Sequence, residues 1–234
     1  MLRVLRRRAG PDPLGSDRLL SGSFNHHYRQ FRGGAIADWP ATATVPSHMV
    51  VGLHGLGANE RQFGTLLALD LPDDSVYVGL RAPVEYGRDS YSWFDPLLDA
   101  DQIGYDPVVA RVADFVLAIR QRTGVSATDT TLIGYSQAAS LTVAISALRP
   151  DVAANVALGS AALPPRLATI GPGLPDRGFV GVGNLDPFVD PDSLAELISA
   201  WESVTGALTV RHYDIPHVMS PAMTNDVSQW IRAR

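Results

Sequence analysis

Four short segments of this chain carry residue types that do chemistry together. Gly134-Tyr135-Ser136-Gln137-Ala138 follows the G-x-S-x-G pattern with alanine in the last place, and it falls where an apolar run ends and a helical pattern begins. Such a turn is sharp, so a strand and a helix pass closely on either side of the serine. A large side chain two residues before or after it would clash. Gly134 meets that demand and Ala138 nearly does. The hydroxyl then stands clear of the sheet, at a helix N-terminus that favours developing negative charge. The chemistry is nucleophilic attack. It needs a base, an acid that orients the base, and donors for an oxyanion.

Candidates for each follow other apolar runs. His54-Gly55-Leu56-Gly57 comes after His48–Leu53, and its glycines free the backbone to turn an N–H toward a substrate oxygen. The expected oxyanion donors are the backbone N–H groups of Leu56 and Gln137. His54 itself reads as a hydrogen-bonder that shapes the loop. Asp186 lies in Gly183–Val189, just after the run Gly178–Val182, and is the candidate acid. Two neighbours compete with it. Asp190 already reads as the N-cap before Pro191, and Asp192 falls in the first helical turn, where acids complement the helix dipole. His217 follows Leu208–Tyr213 and is the candidate base, whereas His212 sits within that run. The order Ser136, Asp186, His217, each after a strand, is the order of a hydrolase triad on an α/β sheet.

The elements that must position these residues alternate. Strands are expected at His48–Leu53, Ser75–Leu80, Thr130–Gly134, Ala153–Leu158, Gly178–Val182 and Leu208–Tyr213. One helix starts at an Asn59 N-cap, with Gln62 placed as in a capping box, and runs to about Asp70. Another opens at Asp106-Pro107, with Asp106 as N-cap, and ends near Gly124. A third spans Gln137–Leu148. Asp190-Pro191 and Ser220-Pro221 open two more. This alternation implies an α/β fold: a mostly parallel central sheet with helices on both faces, and a ligand site beyond the carboxyl ends of the strands. Residues 1–45 are read as an N-terminal extension, with Phe24–Phe31 as one edge strand, and residues 46–234 as the catalytic domain.

Composition narrows the classes. The 234 residues suit one domain, and 46% apolar with 18% charged residues is a globular composition. A net charge of -5 argues against a nucleic-acid partner. No uncharged apolar stretch is long enough for stable membrane insertion. With no cysteine, disulfides and thiolate chemistry are excluded. The six histidines do not form H-x-x-x-H or H-E-x-x-H spacings, so no metal is expected. The arginine-rich start meets Pro11-Asp12-Pro13 rather than an apolar h-region, and a cytoplasmic location is expected.

Taken together, His54-Gly55-Leu56-Gly57-Ala58-Asn59, Arg81-Ala82-Pro83, Trp93-Phe94-Asp95, Gly134-Tyr135-Ser136-Gln137, Gly183 with Asp186, and His217 resemble the phospholipase/carboxylesterase group, which includes the acyl-protein thioesterases. The resemblance covers roughly residues 48–234. It implies an α/β-hydrolase fold without a large lid domain, a serine esterase acting on carboxylic esters and some thioesters, and no metal or cofactor. Ala138 stands where the group has a second glycine, and Pro216 where it commonly has glycine, so the loop before His217 is expected to be stiffer. The apolar set Tyr91, Trp93, Phe94, Leu97 and Leu98 suggests a groove for an acyl chain, with Trp93 and Phe94 as substrate-binding residues. The Pro- and Gly-rich stretch Ala161–Arg177 is short where relatives of this fold insert a lid, so an open site that takes small or single-acyl-chain esters, without interfacial activation, is expected. The same triad would serve a thioesterase, a lysophospholipase or an acyltransferase. A catalytically silent binding module on the same fold is the reading from another class.

Overall fold

The computed structural model describes residues 18–21, 26–31, 35–40, 46–67, 71, 74–95, 97, 104–161, 174–204 and 207–233. Two kinds of apolar pattern build it. Runs such as Met49-Val50-Val51 are apolar on both sides, as strands covered on both faces must be. Surface helices carry one apolar stripe, as Val109, Val112, Ala113, Val116 and Ile119 do, whereas the helix Gln137–Leu148 is buried without a break from Ala138 to Ser146.

The strands are β1 (Arg18–Ser21), β2 (His26–Phe31), β3 (Ala35–Pro40), β4 (His48–Leu53), β5 (Ser75–Leu80), β6 (Val84–Gly87), β7 (Ser90–Ser92), β8 (Thr130–Tyr135), β9 (Asn155–Gly159), β10 (Arg177–Gly183) and β11 (Leu208–Tyr213). The helices are α1 (Glu60–Leu67), α2 (Asp106–Thr123), α3 (Gln137–Leu148), α4 (Pro191–Val204) and α5 (Pro221–Arg232). Among the described residues the main sheet has the order β1-β2-β3-β5-β4-β8-β9-β10-β11. From β5 to β11 every pairing is parallel; β1, β2 and β3 join antiparallel to one another and to β5. A separate hairpin pairs β6 with β7.

Strand side chains alternate between two cores. Met49, Val51, Leu53 and Leu132 face α2, α3 and α4, whose Val116, Leu141 and Trp201 are buried with them. Val50 and Ile133 face the other way, toward Phe63 of α1 and Met223, Val227 and Trp230 of α5. Burying each of these large side chains stabilises the fold by about 1.5–3 kcal/mol. No inserted lid domain is present among the described residues, and residues 162–173 of the expected open stretch lie outside them.

Several expectations shift by a residue or more. The N-cap of α2 is Tyr105 rather than Asp106, which enters the helix as its first residue; Pro107 still occupies the first turn. Asn59 Oδ1 accepts from Arg61 N–H (3.0 Å) and Gln62 N–H (2.9 Å), so the cap forms. Its side-chain amide turns away to donate to the Asp89 carbonyl, 2.9 Å, and ties α1 to the β6–β7 turn. The end expected near Asp70 falls outside the described residues. The strand expected at Phe24–Phe31 is β2 over its second part, and it is not an edge: β1 lies outside it.

Candidate active site

The candidate nucleophile, acid and base, and the glycine loop, each follow a parallel strand at its carboxyl end. His54 follows β4, Ser136 follows β8, Asp186 follows β10 and His217 follows β11. Parallel pairing stacks these ends along one edge, so loops far apart in sequence share one rim.

Ser136 occupies a backbone conformation that L-residues rarely adopt, with φ 55° and ψ -120°. Holding it there costs about 1–3 kcal/mol, and the surroundings enforce it. Its N–H donates to the Gly159 carbonyl of the neighbouring strand, 2.9 Å. Across the turn, a Cβ at Gly134 would lie 2.4 Å from the Ala138 carbonyl oxygen, closer than any side chain tolerates. Ala138 is fully buried, and its methyl group is accommodated.

The hydroxyl so presented meets an imidazole. Ser136 Oγ lies 2.9 Å from His217 Nε2, and His217 Nδ1 lies 2.7 Å from Asp186 Oδ2. A carboxylate only accepts, so Nδ1 carries the proton and donates to Asp186. Nε2 is then free to accept from the serine. The Asp186 side chain is fully buried, and its other oxygen, Oδ1, accepts from Phe188 N–H at 3.0 Å. His217 sits at the tip of a three-residue turn closed by Val218 N–H donating to the Pro216 carbonyl, 2.7 Å. Pro216 stiffens that turn. Gly183 brings the two loops together: a Cβ there would lie 2.5 Å from the Ile215 carbonyl oxygen. Tyr135 and Phe188 flank the imidazole, with ring centroids 5.4 and 4.9 Å away.

The rivals are elsewhere. Asp190 Oδ2 accepts from Ser193 N–H (3.0 Å) and caps α4. Asp192 lies in the first turn of α4. His212 is exposed, with Nδ1 3.2 Å from Asn184 Oδ1.

The glycine loop after β4 lies against the serine. A Cβ on Gly55 would be 3.4 Å from Ser136 Cβ. The N–H groups of Leu56 and Gln137 donate to no protein acceptor among the described residues. His54 is buried below them. Its Nδ1 donates to the Gly55 carbonyl (2.8 Å), and its Nε2 accepts from Ala82 N–H (3.1 Å). Arg81, of the same Arg-Ala-Pro segment, grips Glu60 of α1 with two hydrogen bonds at 2.8 and 2.5 Å.

Burial holds the His54 pKa below its ordinary 6.5; the Gly55 bond and Glu60 oppose that shift, and Arg81 reinforces it. The unfolded chain therefore takes up this proton first. Stability on this account is complete above pH 6.5 and is lost as pH falls toward the lower folded value. Thermal unfolding followed from pH 7.5 to 5 is expected to give a shallower slope for His54→Asn than for the wild type. Equal slopes would remove His54 as the source.

Trp93 and Phe94 do not lie open to a ligand. They are 2% and 5% exposed and belong to the core that packs on α2 and α3. Trp93 instead donates its indole N–H to the His54 carbonyl, 2.7 Å. Exposed apolar side chains sit on the loops that carry the candidate residues: Leu56, Leu185, Phe188 and Val218. Sequence reasoning passed over Tyr135 and Phe188, although each neighbours a candidate residue. Leu98, also expected at the groove, lies outside the described residues.

No family model matches the chain, and no curated protein matches it by sequence. Its fold is that of solved α/β-hydrolases. The chain is similar to the esterase PE8, with a TM-score of 0.71 and 22% identity over 86% of this chain and 97% of that one. A carboxylesterase from Mesorhizobium loti aligns with a TM-score of 0.71 and 20% identity, over 93% and 99% of the two chains. Acyl-protein thioesterase 2 from Zea mays aligns with a TM-score of 0.66 and 19% identity, over 86% and 98%. No helix among the described residues is long and apolar enough to cross a membrane.

Proposed function

We propose that this chain is a serine hydrolase of carboxylic esters, of the phospholipase/carboxylesterase kind that its motifs resemble. The observation that carries the reading is the unbroken chain Ser136–His217–Asp186, at 2.9 and 2.7 Å, mounted on a strained strand-to-helix turn. His217 Nε2 takes the hydroxyl proton as Ser136 Oγ attacks the ester carbonyl. Asp186 keeps the imidazole in the needed tautomer and stabilises the imidazolium. The N–H groups of Leu56 and Gln137 receive the oxyanion, each lowering the barrier by about 3 kcal/mol. The tetrahedral intermediate collapses, His217 returns the proton to the departing alcohol, and the acyl group stays on Ser136. Water, deprotonated by His217, then attacks the acyl-enzyme and releases the acid.

The exposed Leu56, Leu185, Phe188 and Val218 around these atoms support an ester with an apolar part, small or with a single acyl chain. The likeness to a solved acyl-protein thioesterase supports thioesters as a second substrate class for the same triad. An intact triad argues against a silent binding module.

A fluorophosphonate probe tests the reading. One covalent adduct is expected, located on Ser136 by peptide fragmentation, together with turnover of p-nitrophenyl butyrate. A folded protein that takes up no probe and turns over no ester would defeat the proposal.

A further inference from the structure

The two expected oxyanion donors come from different loops, one after β4 and one after β8. Their N–H groups must converge on one oxygen to within a few tenths of an ångström, and a serine triad does nothing to ensure it. Three side chains connect the two loops.

The first is His54. A trans peptide is planar, with its C=O and N–H pointing in opposite directions. The Gly55 carbonyl and the Leu56 N–H belong to one such unit. By donating to Gly55 O at 2.8 Å, closer than the turn bond from Ala58 N–H to the same carbonyl at 3.3 Å, the imidazole of His54 aims the Leu56 N–H. Ala82 N–H, donating to Nε2 at 3.1 Å, fixes the tautomer that allows this. The second is Trp93. Its indole N–H holds the His54 carbonyl at 2.7 Å, at the root of the same loop. The third is Gln137. Its backbone N–H is the other donor, and its side-chain Oε1 accepts from the backbone N–H of Trp93 at 2.9 Å. Its Nε2 donates to Ser92 Oγ at 3.0 Å. Ladder bonds run beside this path: Gly57 N–H donates to the Tyr91 carbonyl (3.0 Å), and Tyr91 N–H to the Ala58 carbonyl (3.0 Å). The segment from Ser90 to Trp93 thus bridges the glycine loop on one side and the residue after the nucleophile on the other.

We propose that His54, Trp93 and Gln137 are positioning residues that act as one chain, setting the direction and separation of the Leu56 and Gln137 N–H groups in the oxyanion hole. The inference rests on the hydrolase reading above. It assigns the Gln137 side chain a role distinct from that of its backbone N–H. It also gives the buried Trp93 a place in catalysis without contact to substrate.

The test uses the full chain and four variants. Gln137→Met keeps length and backbone N–H but loses the amide. Trp93→Phe loses only the indole N–H and some volume. His54→Asn keeps a donor near the position of Nδ1, and His54→Leu does not. Kinetics with p-nitrophenyl butyrate are paired with inhibition by butylboronic acid, whose tetrahedral serine adduct places an oxygen in the hole. Gln137→Met and Trp93→Phe are each expected to lower kcat by about tenfold or more, because a misaimed donor forfeits part of a roughly hundredfold effect. KM is expected to change little, and boronate affinity to fall in step with kcat. His54→Asn is expected to retain more activity than His54→Leu. The double variant Gln137→Met/Trp93→Phe is expected to lose little more than the worse single one, because both cut one chain.

Undiminished kcat and boronate affinity in folded variants would overturn the proposal, as would losses that multiply as for independent sites. Losses in melting temperature alone, with kcat intact, would mean simple packing and would overturn it equally. Fluorophosphonate labelling separates the two levels. A labelled wild type with unaffected variants defeats this inference alone, whereas an unlabelled wild type defeats the hydrolase reading and this inference together.

Discussion

Ser136→Ala is expected to leave a folded protein whose ester turnover is lower by about 10^5-fold or more. The substitution removes one hydroxyl, whose partner is His217 Nε2 at 2.9 Å, and keeps the β-carbon beside the glycine loop. The strained turn persists, because it is enforced by Gly134, Ala138 and the bond from Ser136 N–H to Gly159. Oxyanion donors and base stay in place, yet without an acyl acceptor only direct attack by water is left. The measurement is kcat on p-nitrophenyl butyrate, with the wild type standardised by active-site titration. Turnover within tenfold of wild type would remove Ser136 as nucleophile.

Asp186→Asn is expected to lower kcat by about 10^4-fold with KM little changed. The hydrogen bonds dictate which way the new amide faces. Phe188 N–H donates to Oδ1 at 3.0 Å, so the amide oxygen takes that place and the NH2 group turns to His217. An NH2 group needs an acceptor, and Nδ1 must give up its proton to be one. The proton then sits on Nε2 and points at Ser136, so the base has become a donor. Fluorophosphonate labelling, which depends on the same proton transfer, is expected to slow in parallel. A variant with more than a tenth of wild-type kcat would show that the acid lies elsewhere.

The residues that the fold brings together at Ser136, Asp186 and His217 could be singled out in the sequence because each obeys a local rule. Ser136 needs small neighbours and a strand-to-helix turn, and Asp190 could be set aside because Asp-Pro is a helix start. The hydrogen-bonded cap at Asp190 bears that out. The parallel sheet from β5 to β11 was legible for the same reason, as apolar runs alternating with helical stripes. What escaped depends on tertiary contact. The hairpin β6–β7 is short, and its exposed Glu85 and Tyr86 give no apolar period to read. Trp93 and Phe94 have the composition of a groove wall, and only the fold reveals that they are packed beneath the site. Tyr105 caps α2 without a capping hydrogen bond from its side chain, so its sequence carries no capping signal. The pairing of Gln137 with Trp93 spans two loops, and no single window of sequence contains it.

The antiparallel addition of β3 to β5 bears on how the protein behaves in concentrated solution. Without it, β5 would end the parallel sheet, with the unpaired N–H and C=O groups of Ser-Val-Tyr-Val-Gly-Leu offered to any neighbouring chain. Such an apolar outer strand is a template for aggregation. The three N-terminal strands move that margin outward to β1, which is only four residues long. At the far margin β11 exposes Arg211 and His212, polar groups that resist stacking of strand on strand. Among the described residues both margins of the sheet therefore end in strands poorly suited to recruiting another molecule.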